Sequence, residues 1–340
     1  MALLIVAVLA AGALLIVAVS SPRLAAAGWL IALVGLSAIP LGALAWLMVH
    51  RLTGGQWGDG LRPTFEAAAS TIPLLFLAVV PVLAAMPVLF PWIGSRTGLK
   101  PDVVAFYLNA PLFILRAGIA LTGWSVLALL LPRARGRAGV LLAATGLVFH
   151  ALMVSLLSVD WILSAEPAFI STSFGATVAI TQMLAALGFA ALFAPGLNER
   201  VVRDLAGLML TGTLGETYLN FMAVLVIWYG NLPTKVAWFV ERVRAPWVAI
   251  SVAIFILGAL IPVLLLLSAR VRTSRTALRW VAASSLAGIA LYHGWLLAPA
   301  YGAWSLGTAS LATIAMACTA ILLARAGWHA AWSARAREAS

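Results

Sequence analysis

Ten apolar stretches, each long enough to cross a lipid bilayer, divide almost the whole chain and constrain its fold more than any other feature. A helix needs about 20 residues to cross the hydrocarbon core. Backbone polar groups find no water there, so apolar stretches of this length predict helices. They lie at about 2–20, 24–49, 71–93, 104–131, 139–163, 173–194, 204–230, 246–268, 277–298 and 304–325. The sequence therefore predicts an all-α polytopic membrane protein, with residues 1–340 forming one integral membrane domain.

Charged residues are scarce, which leaves no room for a soluble domain. They make up 9% of the chain, whereas 64% of the residues are hydrophobic; a soluble domain carries roughly 25% charged residues. The net charge of +11 would suggest a nucleic-acid partner in a soluble protein. Here the basic residues lie in short connections between spans, so we expect contacts with membrane lipids and no nucleic acid.

The distribution of basic residues predicts the orientation in the membrane, because cytoplasmic connections are enriched in arginine and lysine. With the first residue inside, fourteen basic residues lie on the cytoplasmic side and six on the other side. Arg116 lies within a span and completes the 21. We therefore expect both termini in the cytoplasm and the turn at 164–172 outside. Residues 2–20 are interpreted as a first span, because a signal peptide would carry a basic amino-terminal region.

Few side chains are suited to hold a cofactor. Cys318 is the single cysteine, which excludes an intrachain disulfide and a cysteine-ligated iron–sulfur cluster held by this chain alone. The expected depths of the histidines differ, so two of them would not flank one haem iron. No nucleotide-binding motif and no nucleophile–base pair is evident. We expect no metal or haem bound by this chain alone and assign no catalytic residue.

Polar side chains inside spans are functional candidates by default. They are Arg116, His150, Asp160, Gln182 and Glu216. Arg116 and Glu216 lie at similar expected depths, so we expect them to pair, since each alone is costly in a membrane. Two interpretations remain open: a proton path through these groups, or a structural ion pair. For His150 alone, a buried core histidine is the favoured interpretation.

Four ordered motifs within about residues 40–250 resemble one family. The first is the run at 158–175, in which Ser158, Asp160, Trp161, Ser164, Glu166, Pro167, Ser171 and Thr172 fit. The second contains Gly55, Trp57, Gly58, Arg62, Pro63, Glu66 and Ala67. The third covers 83–92 and 107–116, and the fourth covers 204–238. Together they resemble the F subunit of bacterial alternative complex III, a quinol-oxidising membrane complex. Ala168 stands where that family carries a histidine, so no role of that imidazole is transferred.

The resemblance implies an integral membrane subunit of the bacterial cytoplasmic membrane, related to the NrfD/PsrC-like group. It implies two four-helix bundles with two further helices at the side. Partners would be a sister NrfD-like membrane subunit, a periplasmic iron–sulfur protein and c-type cytochromes, which would hold the redox centres. The chain itself would contribute a quinone site or a proton pathway. Asp160, Trp161, Glu166, Ser171 and Thr172 would then form an outer-face site for quinol contact or proton exit.

Two other functions fit the same composition. Ten spans with buried Arg116 and Glu216 would suit a stand-alone secondary transporter. Against it, the sequence shows no clear inverted repeat and no paired half-helices broken by glycine or proline. A purely structural membrane anchor is the third interpretation. In that case Asp160 would cap a helix end and Glu166 would be a solvated loop charge.

Overall fold

The computed structural model describes residues 2–95, 100–167, 169, 171–231 and 233–338, and Ala168 lies outside this set. Within the described residues the chain is helical, contains no β-strand and has ten helical segments long and apolar enough to cross a membrane. We number these segments spans 1 to 10 in chain order: Ala2–Ser20, Pro22–Thr53, Gln56–Ala84, Ala110–Leu130, Gly136–Ala165, Phe174–Phe193, Glu199–Gly230, Trp247–Leu267, Arg275–Ala300 and Ser305–Leu323. The predicted fold class, an all-α polytopic membrane protein, is confirmed.

Most spans are single helices, and two are interrupted. Span 3 consists of Gln56–Ala69, a 3₁₀ turn at Ile72–Leu74 and Leu75–Ala84. Span 8 contains a π-helical segment, Phe255–Leu260, between Trp247–Ile254 and Ile261–Leu267. The helix of span 10 continues to Glu338. Short helical segments connect the spans: Met86–Leu89, Pro91–Gly94, Pro101–Phe106, Leu163–Ala165, Pro233–Arg242, Ala269–Thr273 and Ala298–Ala300.

Span 2 lies at the centre of the molecule and is its most buried span. Spans 2 to 5 pack against one another as a first bundle and spans 6 to 9 as a second bundle, and the buried residues of both belong to one continuous hydrophobic core. Span 2 also packs against spans 6 and 10, and span 1 packs against spans 2 and 10. This is the expected arrangement of two four-helix bundles with two helices at the side. We call the end that carries residues 162–173 the outer end and the opposite end the inner end, following the predicted orientation.

Glycines allow span 2 to approach its neighbours closely, as is common between membrane helices. A Cβ atom added to Gly42 would lie 1.8 Å from the carbonyl oxygen of Gln182 in span 6. Near the same level, the indole of Trp46 donates to the carbonyl of Met183 at 2.9 Å. These contacts fix span 2 against span 6 and thereby join the two bundles.

The third span differs from its predicted bounds. The sequence predicts a span at 71–93 after a glycine-rich connection at 50–70, in which 62–70 form either a short interfacial helix or an ordinary linker. The structure has a helix from Gln56 to Ala69 and ends the span at Ala84. Leu61 and Phe65 of this helix are buried. Arg62 donates to Glu66 at 2.6 Å, so the two charges neutralise each other on one helical face. Hydropathy alone therefore placed the predicted span too far along the chain, over the more apolar residues that follow this helix.

Candidate functional site

The first polar cluster joins spans 4 and 5 near the outer end. The Asn109 side chain caps span 4 by accepting from the backbone N–H of Leu112 at 3.0 Å. Two turns later, Arg116 donates from Nε and Nη2 to the two oxygens of Asp160, at 2.6 and 2.8 Å. The side chain of Asp160 is fully buried. The arrangement is a bidentate ion pair, which fixes both position and direction of the two side chains.

Tyr107 completes this cluster. Its carbonyl accepts from Arg116 Nη2 at 2.9 Å, and its ring centre lies 4.1 Å from the guanidinium carbon. Its hydroxyl donates to the Leu156 carbonyl of span 5 at 3.0 Å. Burial, with a contribution from Asp160, raises the pKa of the Tyr107 phenol, which keeps it protonated and able to donate. Because each group has a partner, the cluster ties the outer ends of spans 4 and 5 together.

The expected pairing of Arg116 with Glu216 is therefore wrong. Arg116 belongs to the first bundle, whereas Glu216 lies on span 7 in the second. The Glu216 carboxylate accepts from the Thr181 hydroxyl of span 6 at 2.8 Å. In the described part of the chain, no basic group lies within 4 Å of it. The similar depths of Arg116 and Glu216 do not identify which helices are neighbours, so depth alone could not predict the partner of either residue.

A second hydrogen-bonded pair lies one turn above Glu216. Asn220 Nδ2 donates to the backbone carbonyl of Glu216 at 3.0 Å, which orients its amide. Asn220 Oδ1 accepts from the hydroxyl of Tyr292, on span 9, at 2.9 Å. Glu216 and Asn220 thus place one carboxylate and one amide near the middle of the second bundle.

A third cluster closes the outer end of the second bundle. Arg242, whose side chain is only 1% exposed, pairs with Glu166 and donates to the carbonyl oxygens of Trp238 and Leu296 at 3.1 and 3.0 Å. Its guanidinium carbon lies 3.5 Å from the Trp238 ring centre. Trp238 Nε1 donates to Glu166 at 3.0 Å, and Phe169 stacks on the indole at 4.0 Å. Burial lowers the pKa of Arg242, and Glu166 opposes that shift.

The second and third clusters are the two ends of one large pocket. Its volume is about 490 Å³, and it lies between the outer halves of spans 6, 7, 8 and 9, beneath helix Pro233–Arg242. Its walls are mostly apolar and aromatic, including Phe174, Phe221, Phe239, Phe255, Tyr292 and Trp295. Glu216, Asn220 and Tyr292 line its deep end, and Trp238 and Arg242 line its outer end. Apolar walls with a few placed polar groups are typical of a small-molecule site.

One side of the pocket faces the membrane. Span 7 has no buried residue on the outer side of Thr213 within this fully described helix. Phe221 and Val224 of span 7 and Phe255 of span 8 line the pocket and are also exposed on the protein surface. These residues leave one side of the pocket accessible from the surface of spans 7 and 8.

The expected outer-face site is not a single acidic cluster. Asp160 and Glu166 each pair with a different arginine, in different bundles. Trp161 is buried rather than free for a ligand. Ser171 lines the large pocket, and Thr172 is exposed. The run at 158–175 therefore ends the first bundle with Asp160 and contributes Glu166, Phe169 and Ser171 to the second.

The two remaining candidates are buried and stand apart from the pocket lining. His150 packs against Trp124, with ring centres 5.8 Å apart, and neither imidazole nitrogen has a hydrogen-bond partner. Gln182 is buried, and its side-chain oxygen also lacks a partner. The hydrogen bonds of the described residues do not connect His150, Asp160 and Glu216 into one chain, so the proton path through all three remains a prediction.

Several pocket residues were not among the site predictions. Tyr292 and Trp295 line the pocket from span 9, and Thr181 of span 6 donates to the pocket residue Glu216. Neither span carried a motif in that region. Trp238 and Arg242 are four residues apart, and this spacing places both on one face of helix Pro233–Arg242. That spacing was the one feature of the sequence that could have predicted that Trp238 and Arg242 contribute to the same site.

Neither the arrangement of possible metal ligands nor comparison with known proteins assigns a function to the site. Among the described residues, no group of three or more His, Cys, Asp or Glu side chains is placed to hold a metal ion. No model of a known protein family matches the chain. No curated protein matches it in sequence. The resemblance to the alternative complex III subunit thus depends on the four motifs alone.

Proposed function

We propose that this chain is an integral membrane subunit of a quinol-oxidising respiratory complex, as the four motifs imply, and that its pocket between spans 6 and 9 binds the quinol or quinone. The observation that carries the proposal is the pocket itself, which has apolar walls, polar groups at both ends and an opening toward the bilayer. Its substrate would be a lipid-soluble aromatic molecule with oxygens on opposite sides of its ring.

Span 9 passes both polar ends of the pocket. Span 9 carries both ends, because Tyr292 bonds to Asn220 and the Leu296 carbonyl bonds to Arg242. Four residues of helix correspond to about 6 Å. A ring held between these levels would present one oxygen to Asn220 and Tyr292 and the other toward Trp238 and Arg242. Its apolar tail would leave between spans 7 and 8.

Glu216 would accept one of the two protons of the bound quinol, and water at the outer end would take the other. Oxidation of a quinol releases two electrons and two protons, and a carboxylate in an apolar pocket is suited to proton transfer. Among the described residues Glu216 has a hydroxyl partner and no basic group within 4 Å, so it is not held permanently as one half of an ion pair. The electrons would pass to partner subunits, namely the periplasmic iron–sulfur protein and the c-type cytochromes. A sister NrfD-like subunit would complete the membrane domain.

Binding is tested with a matched pair of variants. Quinone binding quenches tryptophan fluorescence, and Trp238 and Trp295 both line the pocket. Ala223→Trp fills the pocket from span 7, whereas Ala151→Trp adds the same side chain on the exposed face of span 5. Titration of the purified chain with a short-tailed quinone should show at least tenfold weaker binding for Ala223→Trp and unchanged binding for Ala151→Trp. Equal binding by both variants would refute the pocket assignment.

The assembly is tested separately. Extracted gently from its native membrane, the chain should migrate with cytochrome c and iron–sulfur signals, and expressed alone it should be colourless. Glu216→Gln in the complete complex should lower turnover while quinone still binds. A chain that remains alone in its native membrane and moves a solute would support the transporter instead. The breaks in spans 3 and 8 do not favour that alternative, because they occupy different positions in the two bundles.

A further inference from the structure

We infer that a second, smaller pocket at the inner end binds the headgroup of an anionic phospholipid that carries hydroxyl groups, such as a phosphatidylglycerol. The pocket has a volume of about 260 Å³ and is lined by His50, Arg51, Asp59, Arg62 and Glu66, among others. It lies in the first bundle, remote from the quinol pocket, and the inference does not depend on the proposed function.

The second sequence motif builds this pocket. Gly54 and Gly55 adopt positive φ angles of 69° and 106° and reverse the chain between spans 2 and 3. A Cβ atom on Gly58 would lie 2.0 Å from the His50 ring, so only glycine allows this approach. Trp57 packs edge-on against both Trp46 and His50. The motif residues therefore hold the start of span 3 against the end of span 2 and leave a polar cleft between them.

The charges in the cleft leave one cation without an anion. Arg62 pairs with Glu66 at 2.6 Å, and His50 lies 3.5 Å from Asp59. Arg51 has no carboxylate within 4 Å in the part of the chain that the structure describes. One of its N–H groups donates to the Leu131 carbonyl at 3.1 Å, and a guanidinium has five such donors. Arg51 is thus the lining cation of the cleft that is free to contact an anion.

The residues around the cleft add positive charge and indicate its depth in the membrane. The connection that follows Leu131 carries Arg133, Arg135 and Arg137, which are exposed at the same end. Span 2 ends at Thr53, so Arg51 lies where phospholipid headgroups begin. Basic pockets between membrane helices at the cytoplasmic side are suited to anionic lipid headgroups. A phosphate is thus the expected partner of Arg51, and Arg62 lies beside it.

The acidic residues narrow the class of lipid. Asp59 and Glu66 line the same cleft and would repel a highly charged anion. A carboxylate accepts hydrogen bonds from hydroxyl groups, so a glycerol headgroup places donors against these acids while its phosphate contacts Arg51. A headgroup with one phosphate charge and free hydroxyls therefore matches the mixed polarity of the cleft better than inorganic phosphate.

The test compares two arginine variants of the delipidated full chain. Phosphatidylglycerol, phosphatidylcholine and inorganic phosphate are titrated separately, with retained lipid measured by native mass spectrometry. Arg51→Gln should weaken phosphatidylglycerol binding about tenfold to hundredfold, the range expected for a lost charge-assisted hydrogen-bond pair. Arg270→Gln removes the same charge from an exposed inner-end position in the second bundle and should leave binding unchanged. Arg51→Lys keeps the charge without the bidentate geometry and should give an intermediate loss.

Three results would overturn the inference. Equal losses in Arg51→Gln and Arg270→Gln would show that binding follows overall charge rather than this cleft. Equal affinity for phosphatidylcholine would show that the headgroup is not recognised. Displacement of the lipid by inorganic phosphate at an equal concentration would assign the cleft to free phosphate. If Arg51→Gln fails to fold, Arg51→Lys decides the matter, because unchanged binding in that variant contradicts bidentate contact.

Discussion

Breaking the Arg116–Asp160 ion pair should lower the stability of the first bundle. Asp160 is fully buried, Arg116 is largely buried, and two hydrogen bonds of 2.6 and 2.8 Å join them. Removing one member of such a pair leaves an uncompensated charge and costs about 3–5 kcal/mol. Asp160→Leu and Arg116→Leu should each lower the free energy of unfolding by about this amount. The bidentate contact thus predicts a loss of stability in these variants, whereas an Asp160 that served only quinol contact or proton exit would predict a loss of activity alone.

A double-mutant cycle measures the pair itself. The two single variants and the double variant are unfolded in mixed micelles, and helix content is followed by circular dichroism. The double variant should be more stable than the sum of the two losses predicts, with a coupling energy of about 2 kcal/mol or more. The exposed pair of Glu199 and Arg203, four residues apart on one helix, is the matched control and should give about 0.3–0.5 kcal/mol. A coupling at Arg116–Asp160 no larger than the control would refute the reasoning.

Two further predictions concern packing and orientation. Gly42→Ala should destabilise the protein by about 1–3 kcal/mol, because its new Cβ atom would overlap the Gln182 carbonyl; Gly118→Ala, with open space at the same atom, should show no such loss in the same unfolding assay. Reporter fusions after Arg137 and Arg272 should report a cytoplasmic location and fusions after Lys100 and Asn231 the opposite one, since basic residues favour the cytoplasmic side. The reversed pattern would contradict the predicted orientation.

Hydropathy predicted the spans well because membrane helices must be apolar along their whole length. The first span, Ala2–Ser20, has the predicted bounds. The third span begins earlier than predicted, because Arg62 and Glu66 form an ion pair within its first helix. Tryptophan is enriched at membrane interfaces, yet Trp46, Trp92 and Trp124 are buried in the protein. Hydropathy reports how apolar a segment is and not which of its side chains face a neighbouring helix.

Side-chain partners were much harder to predict than spans. Arg116 and Asp160 are 44 residues apart in sequence, and Glu166 and Arg242 are 76 apart. Each pair depends on which helices are neighbours and on the turn each helix has made about its axis. A single sequence gives depth along the membrane normal but neither of these quantities. The pocket between spans 6 and 9 required both and therefore emerged only from the structure.

The sparse packing of the outer half of span 7 has a thermodynamic consequence. Beyond Thr213 this segment has no buried residue, so few contacts within the chain oppose its local opening. An occupant of the pocket would supply contacts to Phe221 and Val224 that the protein itself does not provide. Binding in the pocket would therefore stabilise the outer half of span 7 against local opening, and a more stable half-helix would in turn favour binding. Amide hydrogen exchange along this half-helix would therefore slow on binding and serve as a gauge of occupancy that needs no turnover.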